Sequence, residues 1–195
     1  MTRNAFTTKK TLGAIATAVT GLTLAFGPAA AHAATPAHTT ATPAAVALAT
    51  QATGNPAGLD QTQMDNARHI VDAAHKLGLG ERAQIIAIAT AMQESKLYNL
   101  ASTAIPESYN YDHQGEGSDY DSVGLFQQRP NWGDTKDLMN PETSATKFLQ
   151  ALTQVDGWET MPVTEAAQAV QVSAYPDAYA PHEGPATQVV HTLNK

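Results

Sequence analysis

Glu94 is the side chain whose surroundings in the sequence best suit chemistry, because it closes an apolar segment. On a helix its neighbours four and seven residues back are Thr90 and Ala87, which are small and leave room for another molecule to approach the carboxyl. An apolar setting disfavours the charged form, so we expect a raised pKa for Glu94. A carboxyl that keeps its proton near neutral pH can act as a general acid, whereas a helix-end Glu that points into water has no such role.

A second group of polar side chains lies in residues 98–124, a stretch rich in Tyr, Asn, Asp, Gly and Ser without helical or strand period. Loops this long in compact domains are usually functional or disordered. Its acidic residues include Asp112, Glu116, Asp119 and Asp121. An EF-hand is excluded because Val123 stands where that loop needs its bidentate Glu. Three interpretations stay open: a loose cation site, a carboxylate that assists Glu94, or a solvated mobile loop.

Aromatic side chains around this loop could stack on sugar rings, because they offer apolar faces with a polar edge. The candidates are Tyr109, Tyr111, Phe126 and Trp132. We expect Trp132 to be the best of them, and we expect Trp158 to lie in the core.

Other chemistries have little support in the sequence. The chain has no Cys, which excludes thiol nucleophiles and Cys-ligated metal sites. It has no Gly-x-Ser-x-Gly, no phosphate-binding glycine loop and no His-Glu-x-x-His pair, and His69 and His75 fall on different faces of a helix. We therefore expect neither a cofactor nor a bound metal.

The elements that must position Glu94 are predicted to be helices, which makes the class all-α. The first is capped by Asp60 or Thr62, runs to Leu77 and is ended by Gly78 and Gly80. The second is apolar on most faces and is therefore expected in the centre of the domain. It spans residues 81–97, and further helices are predicted over residues 141–155, 163–175 with Thr164 as cap, and 188–193.

The N-terminus has the pattern of a secretory signal peptide over residues 1–33. Three cations precede an apolar run, and small residues at Ala31 and Ala33 suit cleavage. Residues 34–58 are dominated by Ala, Thr and Pro and are interpreted as a disordered linker, which leaves 59–195 as the folded domain.

The charge balance limits the partners of the exported chain. The whole chain has 11 Lys and Arg against 18 Asp and Glu, and Arg3, Lys9 and Lys10 would leave with the signal peptide. Such an acidic protein is not expected to bind nucleic acid. Nor do we expect attachment to a membrane after cleavage, and we expect a monomer.

Three short motifs follow one another along the helical part of the chain. They are Glu94-Ser95, Asn99-Leu100-Ala101-Ser102 and Gly124-Leu125-Phe126-Gln127-Gln128 with Pro130 behind it. In this order they resemble the lysozyme-like domain of lytic transglycosylases and goose-type lysozymes, over about residues 60–179. The resemblance implies a secreted, wall-associated bacterial protein with a cleft for peptidoglycan glycan strands.

The family's roles can be carried over to matching residues. The resemblance implies that Glu94 protonates the glycosidic oxygen and that Ser95 holds the carboxylate or the substrate. Gln127 and Gln128 would line the cleft, and Gly124 would let backbone and sugar come close. The alternative for Gly124 is an ordinary turn glycine.

The family also has an Ala-Tyr-Asn segment whose Tyr touches the catalytic Glu. The nearest match here is Ala174-Tyr175-Pro176, which makes Tyr175 the candidate and lacks the Asn. A cleft wall is then expected from Gln171, Tyr175, Asp177 and Tyr179.

The reaction depends on a second carboxylate. With Glu94 alone, the resemblance implies an anhydro sugar product, whereas a working Asp119 or Asp121 would give hydrolysis. A non-catalytic wall-binding or partner-binding module on the same fold is the alternative function, and a helical protein unrelated to glycans is a third.

Overall fold

A computed structural model describes residues 54–117, 120–173, 175 and 177–195. The predicted signal peptide, most of the predicted linker and Asp119 lie outside these residues. None of the helices in the described part is both long enough and apolar enough to cross a membrane.

The described part is helical, with only isolated bridges in place of strands. The six α-helices are α1 (Gln61–Lys76), α2 (Glu81–Ser95), α3 (Thr135–Leu138), α4 (Pro141–Leu152), α5 (Val163–Gln171) and α6 (Glu183–Leu193). Short 3₁₀ turns lie at Pro56–Gly58, Pro106–Asn110, Pro130–Trp132 and Ala180–His182. The all-α class is therefore confirmed.

The predicted start of α1 is confirmed, with Asp60 as its cap. The Asp60 carboxylate accepts from the Gln63 backbone N–H at 2.8 Å, and the Gln63 side chain accepts from the Asp60 N–H at 2.8 Å. This capping box satisfies two donors that a helix N-terminus leaves unpaired. Gly78 ends α1 with a φ of +69°, whereas Gly80 caps α2.

Helix α2 forms the centre of the domain, as its apolar composition predicts. Ile86, Ala87, Ile88 and Ala89 are four consecutive residues with no exposed surface. Because successive residues on a helix point about 100° apart, four in a row can be buried only if neighbours surround the helix. Helices α1, α4, α5 and α6 supply those neighbours.

Helix α2 ends two residues before the predicted Leu97. Lys96 and Leu97 have φ values of +56° and +63°, and the Leu97 N–H donates back to the Ala91 carbonyl at 3.1 Å. This is the left-handed turn that closes many helices. Glu94 consequently lies in the last turn of α2, next to the chain reversal.

Two later helices differ from their predicted bounds. Helix α5 stops at Gln171 because Val172 turns left-handed, and Thr164 lies inside its first turn instead of capping it. Helix α6 begins at Glu183, five residues earlier than predicted. Pro185 lies in its first turn, where backbone N–H groups have no partner within the helix, so the missing N–H of proline costs no hydrogen bond.

The long loop between α2 and α3 has a small apolar cluster of its own. Ala101, Val123, Leu138 and Met139 are buried together, with Ile105, Tyr111 and Trp132 packed against them. A backbone bridge joins Ala101 to Glu116. Over its described residues, the stretch is thus a folded segment. Trp158 is 8% exposed and lies in the main core, as predicted.

Candidate functional site

Glu94 stands at the junction of two depressions that together form one groove. The larger is a lobe of about 770 Å³ and the smaller a lobe of about 510 Å³. Glu94, Gln93 and Gln127 line both. An extended ligand in this groove would therefore pass the Glu94 carboxyl with contacts on both sides.

The partner that orients the Glu94 carboxyl is Tyr179. Its hydroxyl donates to Glu94 Oε1 at 2.7 Å, and its side chain has no exposed surface. Burial, together with the hydrogen bond to Glu94, raises the pKa of Tyr179. The phenol therefore keeps its proton and remains the donor to the Glu94 carboxyl.

Tyr175 was the candidate for this contact, and the structure gives the contact to the tyrosine four residues later. The Tyr175 side chain is 74% exposed and lies on the rim of the larger lobe. Tyr179 follows Ala178, so the pair Ala178-Tyr179 was an equally good match in the sequence. The choice between Tyr175 and Tyr179 depends on the path of the chain after α5, and the spacing of apolar residues in the sequence does not predict that path.

Gln93 is a groove residue that the sequence reasoning did not single out. His182 Nε2 lies 3.0 Å from Gln93 Oε1, and because an amide oxygen can only accept, the imidazole N–H is the donor. Burial lowers the pKa of His182, which favours the neutral ring. The contact leaves the Gln93 amide N–H groups for a ligand in the groove.

Gly124 is required by the packing of the protein backbone, and it lines neither lobe. Its φ is +78°, and a Cβ on it would lie 2.2 Å from the Leu138 carbonyl oxygen. The expected role in letting a ligand approach is therefore corrected: the close neighbour of Gly124 is the end of α3.

Of the two adjacent glutamines, only Gln127 faces the groove. Gln127 adopts a left-handed φ of +46°, and its amide donates to the Gly124 carbonyl at 3.0 Å. Gln128 is 1% exposed, and its amide donates to the Ser144 carbonyl in α4 at 3.2 Å. The expectation that Gln128 lines the cleft is wrong, since the turn between Gly124 and Gln127 sends successive side chains in opposite directions.

Ser95 positions the turn that carries Gln127. Its buried hydroxyl lies 2.7 Å from the Leu125 carbonyl and 3.1 Å from that of Ala91. The single hydroxyl proton of Ser95 is thus donated to backbone carbonyls, and not to the Glu94 carboxylate or a substrate as expected. From the opposite side, the Gln171 amide donates to the Phe126 carbonyl at 2.9 Å. The turn is held between the C-terminal ends of α2 and α5.

The larger lobe is lined by apolar and aromatic side chains as well as polar ones. Trp132 is partly buried on its wall, and Tyr175 stands opposite on the segment after α5. Val170 in the last turn of α5 and Val172 just after the helix add to the apolar lining. Such faces are suited to the apolar sides of a sugar ring.

The smaller lobe carries three charged side chains, whereas the larger lobe carries two, Glu94 and Arg129. Besides Glu94, the smaller lobe is lined by Lys96 and Glu116, with Tyr98 on its wall. The Tyr98 hydroxyl donates to Asp60 Oδ2 at 2.6 Å, which raises the pKa of Tyr98 and lowers that of Asp60. The wall of this lobe is thereby tied to the cap of α1.

Asp121, one of the two carboxylates expected to assist Glu94, forms an ion pair with Arg129. The hydrogen bond from Arg129 lowers the pKa of Asp121 and keeps it ionised. Asp121 is not among the lining residues of either lobe, whereas Arg129 lines the larger one.

The remaining aromatic candidates divide between core and loop. Phe126 is fully buried and stacks on Phe148 at 4.7 Å between ring centres, so its expected contact with sugar is wrong. Tyr109 packs edge-on against the His113 ring, with 5.5 Å between the ring centres. Tyr111 donates to Glu107 at 2.8 Å and packs on the loop cluster.

Outside the groove, the described residues form a further depression but no metal site. A depression of about 440 Å³ between α1 and the start of α4 is lined mainly by polar side chains and does not include Glu94. Across the described residues, no three His, Asp or Glu side chains converge in a way that could hold a metal ion.

Comparison with models of known protein families gives no match, and comparison with curated proteins gives none either. The function therefore has to be argued from the groove and from the motifs that line it.

Proposed function

We propose that this protein cleaves the glycan strands of peptidoglycan, with Glu94 as the general acid, on a lysozyme-like helical domain. The observation that carries the proposal is the Glu94 carboxyl, which Tyr179 holds at the junction of the two lobes. A polymer-cleaving enzyme needs its acid between subsites, because the bond to be broken lies between two bound sugars.

The motif resemblance supports the same function. Glu94-Ser95 ends a buried helix and Gly124 to Gln127 forms a turn beside it, which is the arrangement expected of lytic transglycosylases and goose-type lysozymes. With Ala178-Tyr179 as the match to the family's Ala-Tyr-Asn segment, Ala180 takes the position of the Asn. The tyrosine contact with the acid is present even though that Asn is not.

The chemistry follows from the position of the carboxyl. Glu94 protonates the glycosidic oxygen as the bond breaks, and positive charge develops on the sugar ring. Once ionised, the carboxylate stabilises that charge, and Tyr179 keeps one of its oxygens in place. Gln93 and Gln127 offer amide groups to the sugars on both sides of the bond.

We infer from the N-terminal pattern that this activity takes place outside the cell. An exported, monomeric, wall-associated enzyme fits the predicted signal peptide and linker, which would let the domain reach wall polymers.

A binding module without turnover is the second candidate, and Ala180 is the observation that favours it. In such a protein the groove would hold glycan strands, and Glu94 would serve as a hydrogen-bonding group only. The two candidates differ in whether the unaltered protein releases soluble fragments from peptidoglycan and whether that release requires Glu94.

The test compares Glu94→Gln with Glu81→Gln, which makes the same change at the far end of α2, where Glu81 pairs with His191 on the surface. Purified peptidoglycan is the substrate, and soluble products are quantified and identified by mass. We expect Glu94→Gln to lower the rate by about 10²–10⁴-fold and Glu81→Gln to leave it unchanged. Turnover by Glu94→Gln at the rate of the unaltered protein would contradict the proposal. If the unaltered protein binds peptidoglycan but does not cleave it, the binding module is the correct function.

A further inference from the structure

The polar depression between α1 and the start of α4 has the size and the charge of a binding site. Its volume of about 440 Å³ lies within the range of roughly 300–1,000 Å³ that is typical of small-molecule sites. None of the described residues that line it is Lys or Arg, whereas three are acids, namely Asp65, Asp112 and Glu142. A concave surface with this lining attracts a positively charged ligand.

Asp112 gives the depression a negative charge that its neighbours do not neutralise. Asp65 is paired with Arg68, and Glu142 is paired with Lys76. Within the described part of the chain, no donor or cation contacts the Asp112 carboxylate. Because no three Asp, Glu or His side chains of that part converge as metal ligands do, we expect a cationic group on a larger molecule.

A nearly buried amide adds an acceptor to the depression. Asn66 is 5% exposed, and its Nδ2 donates to the Leu97 carbonyl at 2.8 Å and to Gln114 Oε1 at 3.1 Å. Since a carbonyl can only accept, these contacts fix which end of the amide is the nitrogen. No described group donates to Asn66 Oδ1, and this oxygen is not among the fully buried atoms without a partner, so it faces the depression that Asn66 lines. A ligand that donates there would satisfy it.

Gln114 adds donors to the same lining. Its Oε1 accepts from the Asn66 amide and from the Asn99 backbone N–H at 2.8 Å, which holds the side chain against α1. Its Nε2 donates to no group in the described residues and therefore has N–H groups for a ligand. An ammonium group has three donors and no acceptor, whereas a peptide carbonyl accepts. A peptide that carries an ammonium group matches this combination of Asn66, Asp112 and Gln114.

The depression is separate from the groove, although one segment of the loop borders both. The Gln114 N–H donates to the Asn99 carbonyl at 2.8 Å, and the Ala101 N–H donates to the Gly115 carbonyl at 3.0 Å. Asn99 lines the depression, and the next residue, Leu100, lines the smaller lobe. The depression shares no lining residue with either lobe, so a ligand bound there does not occupy the groove.

We propose that this depression is a second binding site and that it takes the ammonium group of a peptide. The ammonium donates to Asn66 Oδ1 and to the Asp112 carboxylate, and Gln114 Nε2 donates to a neighbouring peptide carbonyl. Hydrogen bonds between charged groups are the strong ones, so the contact with Asp112 supplies most of the selectivity for a cation. This inference does not depend on the proposed function. A peptide N-terminus and a lysine-like side chain both supply this chemistry, and the test distinguishes them.

The test titrates ¹⁵N-labelled protein with small probes and follows the side-chain amide signals of Asn66 and Gln114 by NMR. Glycylglycinamide supplies an N-terminal ammonium, and Nα-acetyl-lysinamide supplies one on a side chain. Nα-acetyl-norleucinamide is the uncharged control, and butylammonium has the charge without a carbonyl. We expect saturable shifts of both signals with an ammonium peptide, weaker binding of butylammonium and none of the norleucine compound. The ammonium peptide with the lower Kd identifies the source.

The variant that tests the site is Asp112→Asn, because the exposed Asp112 side chain makes no contact that the fold needs. It should raise the Kd of the tighter peptide by about tenfold. Asp156→Asn makes the same change at an exposed acid that lines none of the three cavities, and it should leave the Kd unchanged. Asn66→Ala should abolish saturation, but it also removes the bond to Leu97, so the Asp112 variant decides.

Several results would overturn this proposal. They are equal binding of the norleucine compound, an unaltered Kd in Asp112→Asn, and saturable shifts confined to the groove amides of Gln93 and Gln127. Binding of no probe would also overturn it and would leave the depression to water. Equal affinity for butylammonium and the peptides would overturn the assignment to a peptide.

Discussion

The two lobes beside Glu94 are built in different ways. The larger lobe lies along the ends of α2 and α5 and offers aromatic and aliphatic surface from Trp132, Val170 and Tyr175. The smaller one is walled by the irregular segment after α2 and offers charged groups, Lys96 and Glu116. Apolar faces supply binding energy through buried area, whereas fixed charges act on the charge that develops during a reaction. We therefore expect the larger lobe to supply more of the binding energy, whereas Glu94, the proposed proton donor, stands at the border of both lobes.

The largest effect is expected from Gly124→Ala, which would disrupt the turn shared by both lobes. A Cβ would collide with the Leu138 carbonyl, and the φ of +78° would add strain. We expect a loss of about 3 kcal/mol in the free energy of unfolding, measured by urea denaturation, together with loss of binding in both lobes.

The control for this change is Gly157→Ala. Gly157 has a similar φ of +76° but no atom near the new Cβ, so it isolates the backbone strain at a cost of about 1 kcal/mol. Equal losses of unfolding free energy in the two variants would show that contact with α3 is not the reason why position 124 requires glycine.

A smaller effect is expected from Trp132→Ala, which removes aromatic surface from the larger lobe only. The loss of stacking on a sugar should raise KM for glycan fragments by about tenfold, with little change in kcat. Tyr120→Ala is the control, since Tyr120 is 84% exposed and lines neither lobe. A fall in kcat at constant KM would place Trp132 at the reacting bond and contradict the division between the lobes.

The smallest effect concerns His182, which contacts the Gln93 side chain that lines both lobes. Because burial lowers its pKa in the folded protein, the unfolded chain binds a proton more readily. Its contribution to stability is therefore present above the ordinary value of 6.5 and is lost as the pH falls through the lower folded value. We expect a decrease in Tm on acidification below pH 6.5 that is reduced in His182→Gln, and an identical pH dependence in both proteins would contradict this assignment.

The helical framework was largely predictable, because each main helix carries its signal locally. The Asp60 cap, the apolar face of α1 and the wholly apolar middle of α2 all follow from the order of residues. The ends of α2 and α5 were less predictable. Lys96, Leu97 and Val172 adopt left-handed conformations that side chains of these types disfavour, and only surrounding contacts stabilise them there.

Within the groove, the sequence identified Glu94 as the acid candidate and Gln127 and Trp132 as its neighbours, and the structure brings all three to one groove. It did not separate Gln127 from Gln128, because a left-handed residue at the turn reverses the direction of the next side chain. The pairing of His182 with Gln93 joins residues 89 positions apart and has no local pattern.

The sequence by itself determined the all-α class, the central position of α2 and the candidacy of Glu94, since helix period, capping and burial are encoded by residues within a few turns of one another. Only the tertiary structure decided which tyrosine reaches Glu94, which glutamine faces the groove and which loop acid lines it. Those choices depend on hydrogen bonds between separate segments, such as those of Ala101 with Gly115 and Gly117 and that of Tyr179 with Glu94 in α2. Long-range contacts of this kind follow from how the elements pack, and local residue order does not specify them.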